Sequence, residues 1–196
     1  MDVAPVVVPA TPDHWADLEA LFGTRGDPAR CWCQWFYAGA QVAPGATAAA
    51  NREALRFQVR QGPPPGVLAY LDDEPVGWCA VAPRPTYTRL PRVQVLRGTP
   101  PDELADPAVW SVTCFVVRVG HRRSGVARAL LDGAVRLAGE SGARVVEGYP
   151  VDVAAKGATS SAELFHGPLS TFIAAGFREV ARPGPARPVV RLELSQ

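Results

Sequence analysis

Apolar and polar positions along this chain switch between a period near two and a period near 3.6, and the switches mark its elements. Short strand-like runs are Val3 to Val8, Val67 to Leu71, Pro75 to Ala82, Val109 to Arg118, Ala143 to Val151, Phe177 to Ala181 and Val189 to Leu194. Between them lie helical patterns. Trp15, Leu18 and Leu21 follow a Thr11-Pro12-Asp13 start, with threonine as cap and proline at the first helical position. A second helix, about 47–60, carries Arg52, Arg56 and Arg60 along a solvated edge. The clearest pattern begins at Val126: Leu130, Leu131, Ala134, Leu137 and Ala138 lie on or beside one stripe. Arg128, Asp132, Arg136 and Glu140 recur every fourth position opposite it. Gly139 and Ser141-Gly142 end this helix, and Gly167-Pro168 opens a last short one. Asp72-Asp73-Glu74 joins the second and third strands as a hairpin, and Pro183-Gly184-Pro185 joins the last two. Residues 22–45 and 83–107 have no period and read as irregular loops.

This order predicts an α/β protein with a mixed seven-stranded sheet, antiparallel early and parallel where the fourth strand, a helix and the fifth strand form a right-handed crossover. At 196 residues and 47% hydrophobic, the chain has enough apolar surface for one core, so residues 1–196 read as a single domain. A formal net charge of +1 supplies no general field for nucleic acid or an anionic membrane, so any anion site must be local. The N-terminus lacks the basic segment of a signal peptide, and no apolar run approaches the roughly eighteen residues of a membrane span; a cytoplasmic protein is expected. Cys31, Cys33, Cys79 and Cys114 make no secreted disulfide framework, and Cys31-x-Cys33 is closer than a zinc knuckle, so buried thiols and no metal are expected.

The segment Trp110 to Leu131 carries the most chemistry. An apolar strand runs through a glycine turn into the amphipathic helix, with Arg122-x-x-Gly125-x-Ala127 at the junction. A helix start offers unpaired amide donors and about half a positive charge, which stabilises a di- or polyphosphate. Arg118, Arg122, Arg123 and Arg128 add side-chain charge, and guanidinium forks match phosphate oxygens. A glycine turn before a helix also arises from packing alone. A dinucleotide fingerprint would need G-x-G-x-x-G, which Gly120 and Gly125 do not form. A Walker A loop would need a lysine at the turn, and the single lysine is Lys156.

The R-x-x-G-x-[GA] spacing after a strand resembles motif A of the GCN5-related N-acetyltransferases (GNAT), and Gly176-Phe177 after a short helix is similar to that family's ending. The resemblance implies a mostly antiparallel sheet splayed between strands 4 and 5 and flanked by about four helices. It implies an N-acetyltransferase: acetyl-CoA or another short acyl-CoA is co-substrate, no metal takes part, and the acyl group passes by direct attack to a small-molecule or peptide amine in a ternary complex. It also implies that Phe115, Val116 and Val117 offer backbone groups to the pantetheine arm, one amide near Phe115 polarising the thioester carbonyl, and that Arg122, Arg123, Ser124, Gly125, Val126 and Ala127 cradle the pyrophosphate. Strand packing explains the first three residues equally well.

One departure stands out: Phe172 falls where many members carry the tyrosine that protonates the departing thiolate. With a reference thiol pKa near 8.5 a thiolate is a tolerable leaving group, and His166, Ser170 and Tyr149 are nearby substitutes. Deprotonating a lysine-like amine at pH 7 costs roughly 4 to 5 kcal/mol and an α-amino group about 1, so a base matters for the first. Glu147, sharing a strand face with Tyr149, is the candidate base; its alternative reading is a salt-bridged acid at a strand edge. For the acceptor, Trp32, Trp35 and Trp78 supply aromatic surface, the alternative being a hydrophobic plug that holds a long loop. A homodimer is allowed. A non-catalytic acyl-CoA binding or sensing module of the same fold is the alternative to an enzyme, and the near-neutral charge counts against an acetyltransferase of charged RNA.

Overall fold

Seven strands form one open sheet in the computed structural model, which describes residues 4–23, 26–37, 47–96, 99–157 and 163–194. They are β1 (Val6–Pro9), β2 (Gly66–Leu71), β3 (Glu74–Pro83), β4 (Val109–Val117), β5 (Val145–Gly148), β6 (Arg178–Gly184) and β7 (Arg187–Glu193). Their order across the sheet is β1-β2-β3-β4-β5-β7-β6, with β4 and β5 parallel and the other neighbours antiparallel. The β2–β3 hairpin closes where expected: Asp72 and Asp73 both adopt positive φ, 48° and 62°, the geometry that matches strand twist.

The helices are α1 (Trp15–Phe22), α2 (Gly26–Cys31), α3 (Ala48–Gln61), α4 (Pro101–Leu104), α5 (Val126–Glu140), α6 (Val153–Lys156) and α7 (Leu169–Ala174). Alternation along β3 divides the core between the two faces. Cys79 and Val81 pack with Val126, Leu130, Leu131 and Ala134 of α5, while Trp78 and Ala80 pack with Leu18 and Phe22 of α1 and Leu55 and Val59 of α3. Thr47 caps α3, its side chain accepting from Ala50 N at 3.2 Å. Cys33, Cys79 and Cys114 are buried free thiols, and the Cys33 and Cys114 sulfurs meet at 2.8 Å.

Several expectations change. Of the expected first strand, Val3 lies outside the described residues, and the strand observed is Val6–Pro9. Residues 22–45, expected to be irregular, contain α2; residues 24–25 and 38–46 lie outside the described residues. The 83–107 segment is not an open loop. Three 3-10 turns and α4 fold it inward, because Arg84, Tyr87, Leu90 and Leu96 each bury a large side chain. Phe36, Ala82, Tyr149 and Val189 meet Tyr87, Leu90 and Leu96 in a third apolar cluster. Seven α-helices occur among the described residues, the four expected ones being joined by α2, α4 and α6, each one or two turns long. The fifth strand ends at Gly148, short of the expected Val151.

Candidate active site

That early end creates the site. β4 and β5 pair from Val109↔Val145 to Val112↔Gly148, and β4 then continues alone to Val117. Cys114 to Val117 therefore pair with β3 on one edge, Thr113 falling at a register shift, and none of Thr113 to Val117 has a β5 partner on the other. Phe172 holds the wedge at its base. Its ring sits so close to Gly148 that a Cβ there would be 2.3 Å from it, and it packs edge-on against Phe115 at 6.0 Å and Phe177 at 5.1 Å. Val151 instead bridges to Pro168, which carries the chain beyond β5 toward α7.

Beyond Val117 the chain turns into α5. Arg123 and Gly125 take φ of 63° and 82°, the left-handed conformation that glycine adopts at little cost. Ser124 Oγ donates to His121 O at 2.6 Å and steadies the turn. The first intrahelical bond runs from Ala129 N to Gly125 O at 3.0 Å, so the amides just before Ala129 have no helical carbonyl to meet. Arg122, Arg123, Ser124 and Gly125 are exposed, and Ala127 is half-buried beside the buried Val126.

Two arginines read as part of this anion site are engaged elsewhere. Arg118 pairs with Glu74 and donates to Ala20 O, while Arg128 binds Asp132 at 2.9 Å and donates to Ala174 O at 2.6 Å. Arg128 thus ties α5 to the C-terminal carbonyls of α7, where a cation is favoured.

A cavity of about 600 Å³ meets the wedge from the other side of its opening. Tyr149, the residue after the last paired position of β5, lines it, as does His166, whose ring lies near the Thr113 backbone just past the last paired position of β4. Trp35, Phe36 and Leu90 supply apolar wall, and the β6–β7 turn with Arg187 closes it. Its volume is that of a small-molecule site. Trp35 is half exposed, with the Arg89 guanidinium 3.6 Å above its ring.

Behind Tyr149 lies a buried charged network. Tyr149 Oη donates to Glu147 Oε1 at 2.6 Å and lies 2.8 Å from Ser111 Oγ. Glu147, fully enclosed, accepts from Arg84 at 3.2 Å on both oxygens and from Arg191 Nε at 2.6 Å. Arg191 also binds Glu103 at 2.7 Å, and Arg84 donates to the Glu103 carbonyl. Burial first, and then the Glu147 charge, push the Tyr149 phenol well above the usual range and keep it protonated. Burial, followed by the Arg187 charge, pushes His166 down to about 3, against a smaller opposite effect of the Thr113 backbone, so its ring is neutral near pH 7.

The structure therefore brings Tyr149 and His166 to one cavity and separates other candidates from it. Glu147 is not an open base beside a cleft: its oxygens are taken by two guanidinium groups and a phenol, and the ion-paired reading is the one its surroundings match. Trp32 and Trp78 are corrections of the same kind. Trp78 is wholly buried between β3 and α1, and Trp32 stacks on Phe22 at 4.9 Å, so neither offers acceptor surface. Ser170 is exposed on α7 and does not line the cavity. Arg84 and Arg191 were missed. The register Glu147↔Arg191 is visible only once β5 and β7 pair, and Arg84 was hidden in a proline-flanked segment that read as loop. The one available signal was an arginine directly after a long apolar strand.

A strand pair that parts midway, with an exposed helix start on one side and an enclosed cavity on the other, is the architecture of the N-acetyltransferase fold. The model of the acetyltransferase (GNAT) family matches residues 14–159, and the chain belongs to this family. Solved structures of the same fold include a GCN5-related N-acetyltransferase from Kribbella flavida (18% identity, 97% of this chain and 98% of that one, TM-score 0.54). The GNAT domain of S. lividans PAT is similar over 97% of this chain and 96% of that one, at 18% identity and TM-score 0.55. A ribosomal-protein-alanine N-acetyltransferase from Brucella melitensis is 14% identical over 96% and 99%, with TM-score 0.54. Among curated proteins none is significantly similar in sequence. Among the described residues no helix is long and apolar enough to cross a membrane, and no group of three His, Cys, Asp or Glu side chains is placed to hold a metal.

The family uses acetyl-CoA, and the residues here fit it. The Thr113–Val117 edge is unpaired toward β5, the α5 amides are open to solvent, and the buried His166 Nδ1 has no hydrogen-bond partner among the described residues.

Proposed function

We propose that the protein transfers an acetyl or other short acyl group from acyl-CoA directly to an amine held in the 600 Å³ cavity. The observation that carries this reading is the meeting of that cavity with the end of β4–β5 pairing, at Tyr149 and His166. Acyl-CoA supplies an activated thioester. The backbone of Phe115, Val116 and Val117 would align it as an added strand, and the amides from Arg122 to Ala127 would hold the pyrophosphate. An amide preorganised near Phe115 is the kind of donor whose loss costs acyl transfer on the order of 3 kcal/mol.

Tyr149 is the proton donor in this reading. Its phenol stays protonated, it borders the cavity, and Glu147, held by Arg84 and Arg191, fixes its orientation. Phe172 lacks a proton to give, and its burial makes it a packing residue. No anionic base lines the cavity among the described residues, which suits an acceptor amine that is easily deprotonated, such as an α-amino group, better than a lysine. The reaction would take place in the cytoplasm.

The test is release of free thiol from acetyl-CoA by the purified protein across amines, arylamines, amino acids and peptides. Turnover with one acceptor, reduced at least tenfold in kcat by Tyr149→Phe with KM little changed, supports the reading. Stabilisation by acetyl-CoA without thiol release across the panel favours instead a binding module.

A further inference from the structure

Two arginines on the β6–β7 hairpin have opposite surroundings. Arg182 is saturated: it binds Glu179 at 2.6 Å, Asp152 at 2.8 Å and the Pro185 carbonyl at 2.7 Å. Arg187, half-buried in the cavity wall, has a guanidinium that makes no hydrogen bond or salt bridge with any described residue. A guanidinium carries five donors and cannot shed its charge, so withdrawing one from water without a partner is unfavourable unless something else supplies the acceptor oxygens. The surface arginines that lack partners among the described residues, such as Arg122 and Arg123, face solvent and incur no such cost.

The rest of the wall gives that ligand its sign and shape. Among the described residues no aspartate or glutamate lines the cavity; its titratable lining groups are Arg187, Lys156, Tyr149 and His166. Lys156 is bound to Glu163, the acid whose charge also reaches Arg187, and Tyr149 is engaged with Glu147 and Ser111. Arg187 is left as the cation open to a ligand. Apolar side chains, among them Trp35, Phe36, Leu90 and Val93, make up most of the remaining wall. Such a site favours one fixed anionic group on an otherwise apolar body.

Resting on the acyl-transfer reading above, we infer that the acceptor is an amine bearing a carboxylate and an apolar or aromatic body, an amino-acid-like small molecule, with Arg187 receiving the carboxylate. Without a ligand the Arg187 charge is felt nearby, where after burial it contributes to holding the His166 ring neutral.

The test compares two ligands that differ only in the carboxylate, N-acetyl-phenylalanine and N-acetyl-phenethylamine, titrated calorimetrically into the full chain with coenzyme A present. The wild-type protein should bind the carboxylate ligand at least tenfold more tightly. Arg187→Met should bring the ratio within twofold, and Arg187→Lys should keep part of it, with unchanged thermal midpoints showing that both variants fold. Equal affinities, preference for the uncharged ligand, binding of neither, or discrimination that survives in Arg187→Met would each overturn the inference. Binding is read without turnover, which separates the two readings. Carboxylate-selective binding with no thiol release from acetyl-CoA and phenylalanine would retain Arg187's role and defeat the transferase reading, whereas turnover of amines without regard to a carboxylate would do the reverse.

Discussion

The donor and acceptor sides of this site are built in different ways. The donor side is one continuous stretch, Val109 to Arg128: a largely buried strand, a turn exposed at Arg122 to Gly125 and a helix start, positioned by local backbone conformation. Among the described residues the acceptor side is drawn from six separated segments, near residues 35, 84–96, 147–149, 155–156, 166 and 183–187, and is held by a buried ionic network. A contiguous site tolerates change elsewhere in the chain. An assembled one depends on every segment arriving, and its buried charges raise the cost when one does not.

Arg84→Met is the strongest way to break that contrast. It strips two of the contacts on Glu147 and leaves a fully buried carboxylate with fewer counter-charges. Removing one partner of a buried pair typically costs about 3–5 kcal/mol, so urea denaturation should show a loss in that range, with Arg84→Met/Glu147→Leu recovering much of it. A loss under about 1 kcal/mol would mean the network does not hold the acceptor side together.

A second break uses pH. His166 is held near 3 in the folded protein against a reference of 6.5, so below pH 6.5 the unfolded chain takes up a proton that the folded chain refuses. Its contribution is therefore present in full above pH 6.5 and is lost as pH falls toward 3. By pH 5 the loss should be about 2 kcal/mol. His166→Gln should flatten the dependence of denaturation midpoint on pH between 6.5 and 4.5. An unchanged slope would show that the ring is not withdrawn from solvent.

The same contrast explains what could be read from the sequence. Periodicity and turn chemistry suffice for the hairpin at Asp72-Asp73, for α5 and for the Gly125 turn, because each is decided within a few residues. Phe172 could be aligned from Gly176-Phe177 alone, but its packing against Gly148 could not, since it joins α7 to β5 across the sheet. Glu147 was readable as a base or as a salt-bridged acid, but its partners were not readable: Arg191 lies 44 positions away and Arg84 lies 63 positions away on the other side. Trp32 and Trp78 were misread for a related reason. Trp32, in a glycine-rich stretch, looks like surface until it stacks on Phe22 of α1, and alternation along β3 does not say which face of the sheet Trp78 takes until α1 packs there.

On the donor side a single substitution should act without disturbing the acceptor side. Gly125→Asp places a carboxylate where the amides face solvent and forces a left-handed φ of 82° on a residue with a Cβ. Coenzyme A affinity should fall about tenfold, or about 1.4 kcal/mol, while binding of ligands in the cavity is retained. Unchanged coenzyme A affinity would show that this turn does not hold the pyrophosphate.

The smallest expected effect separates two kinds of arginine within the donor turn. Arg123 has no partner among the described residues, whereas Arg128 spends its guanidinium on Asp132 and on the Ala174 carbonyl. If charge near the helix start were all that mattered, Arg123→Ala and Arg128→Ala would weaken coenzyme A binding equally, because screening over such distances at physiological salt, with a Debye length of about 8 Å, barely distinguishes them. If the site depends on which donors are free to turn toward a phosphate, Arg123→Ala should weaken binding roughly five- to tenfold and Arg128→Ala less than threefold. Arg128→Ala should instead loosen α7, seen as faster amide exchange at Ala175 and Gly176, whose N–H groups bond within that last turn. Equal losses of affinity, with exchange unchanged, would show that Arg128 leaves Asp132 for the ligand and that charge, not geometry, governs the donor side.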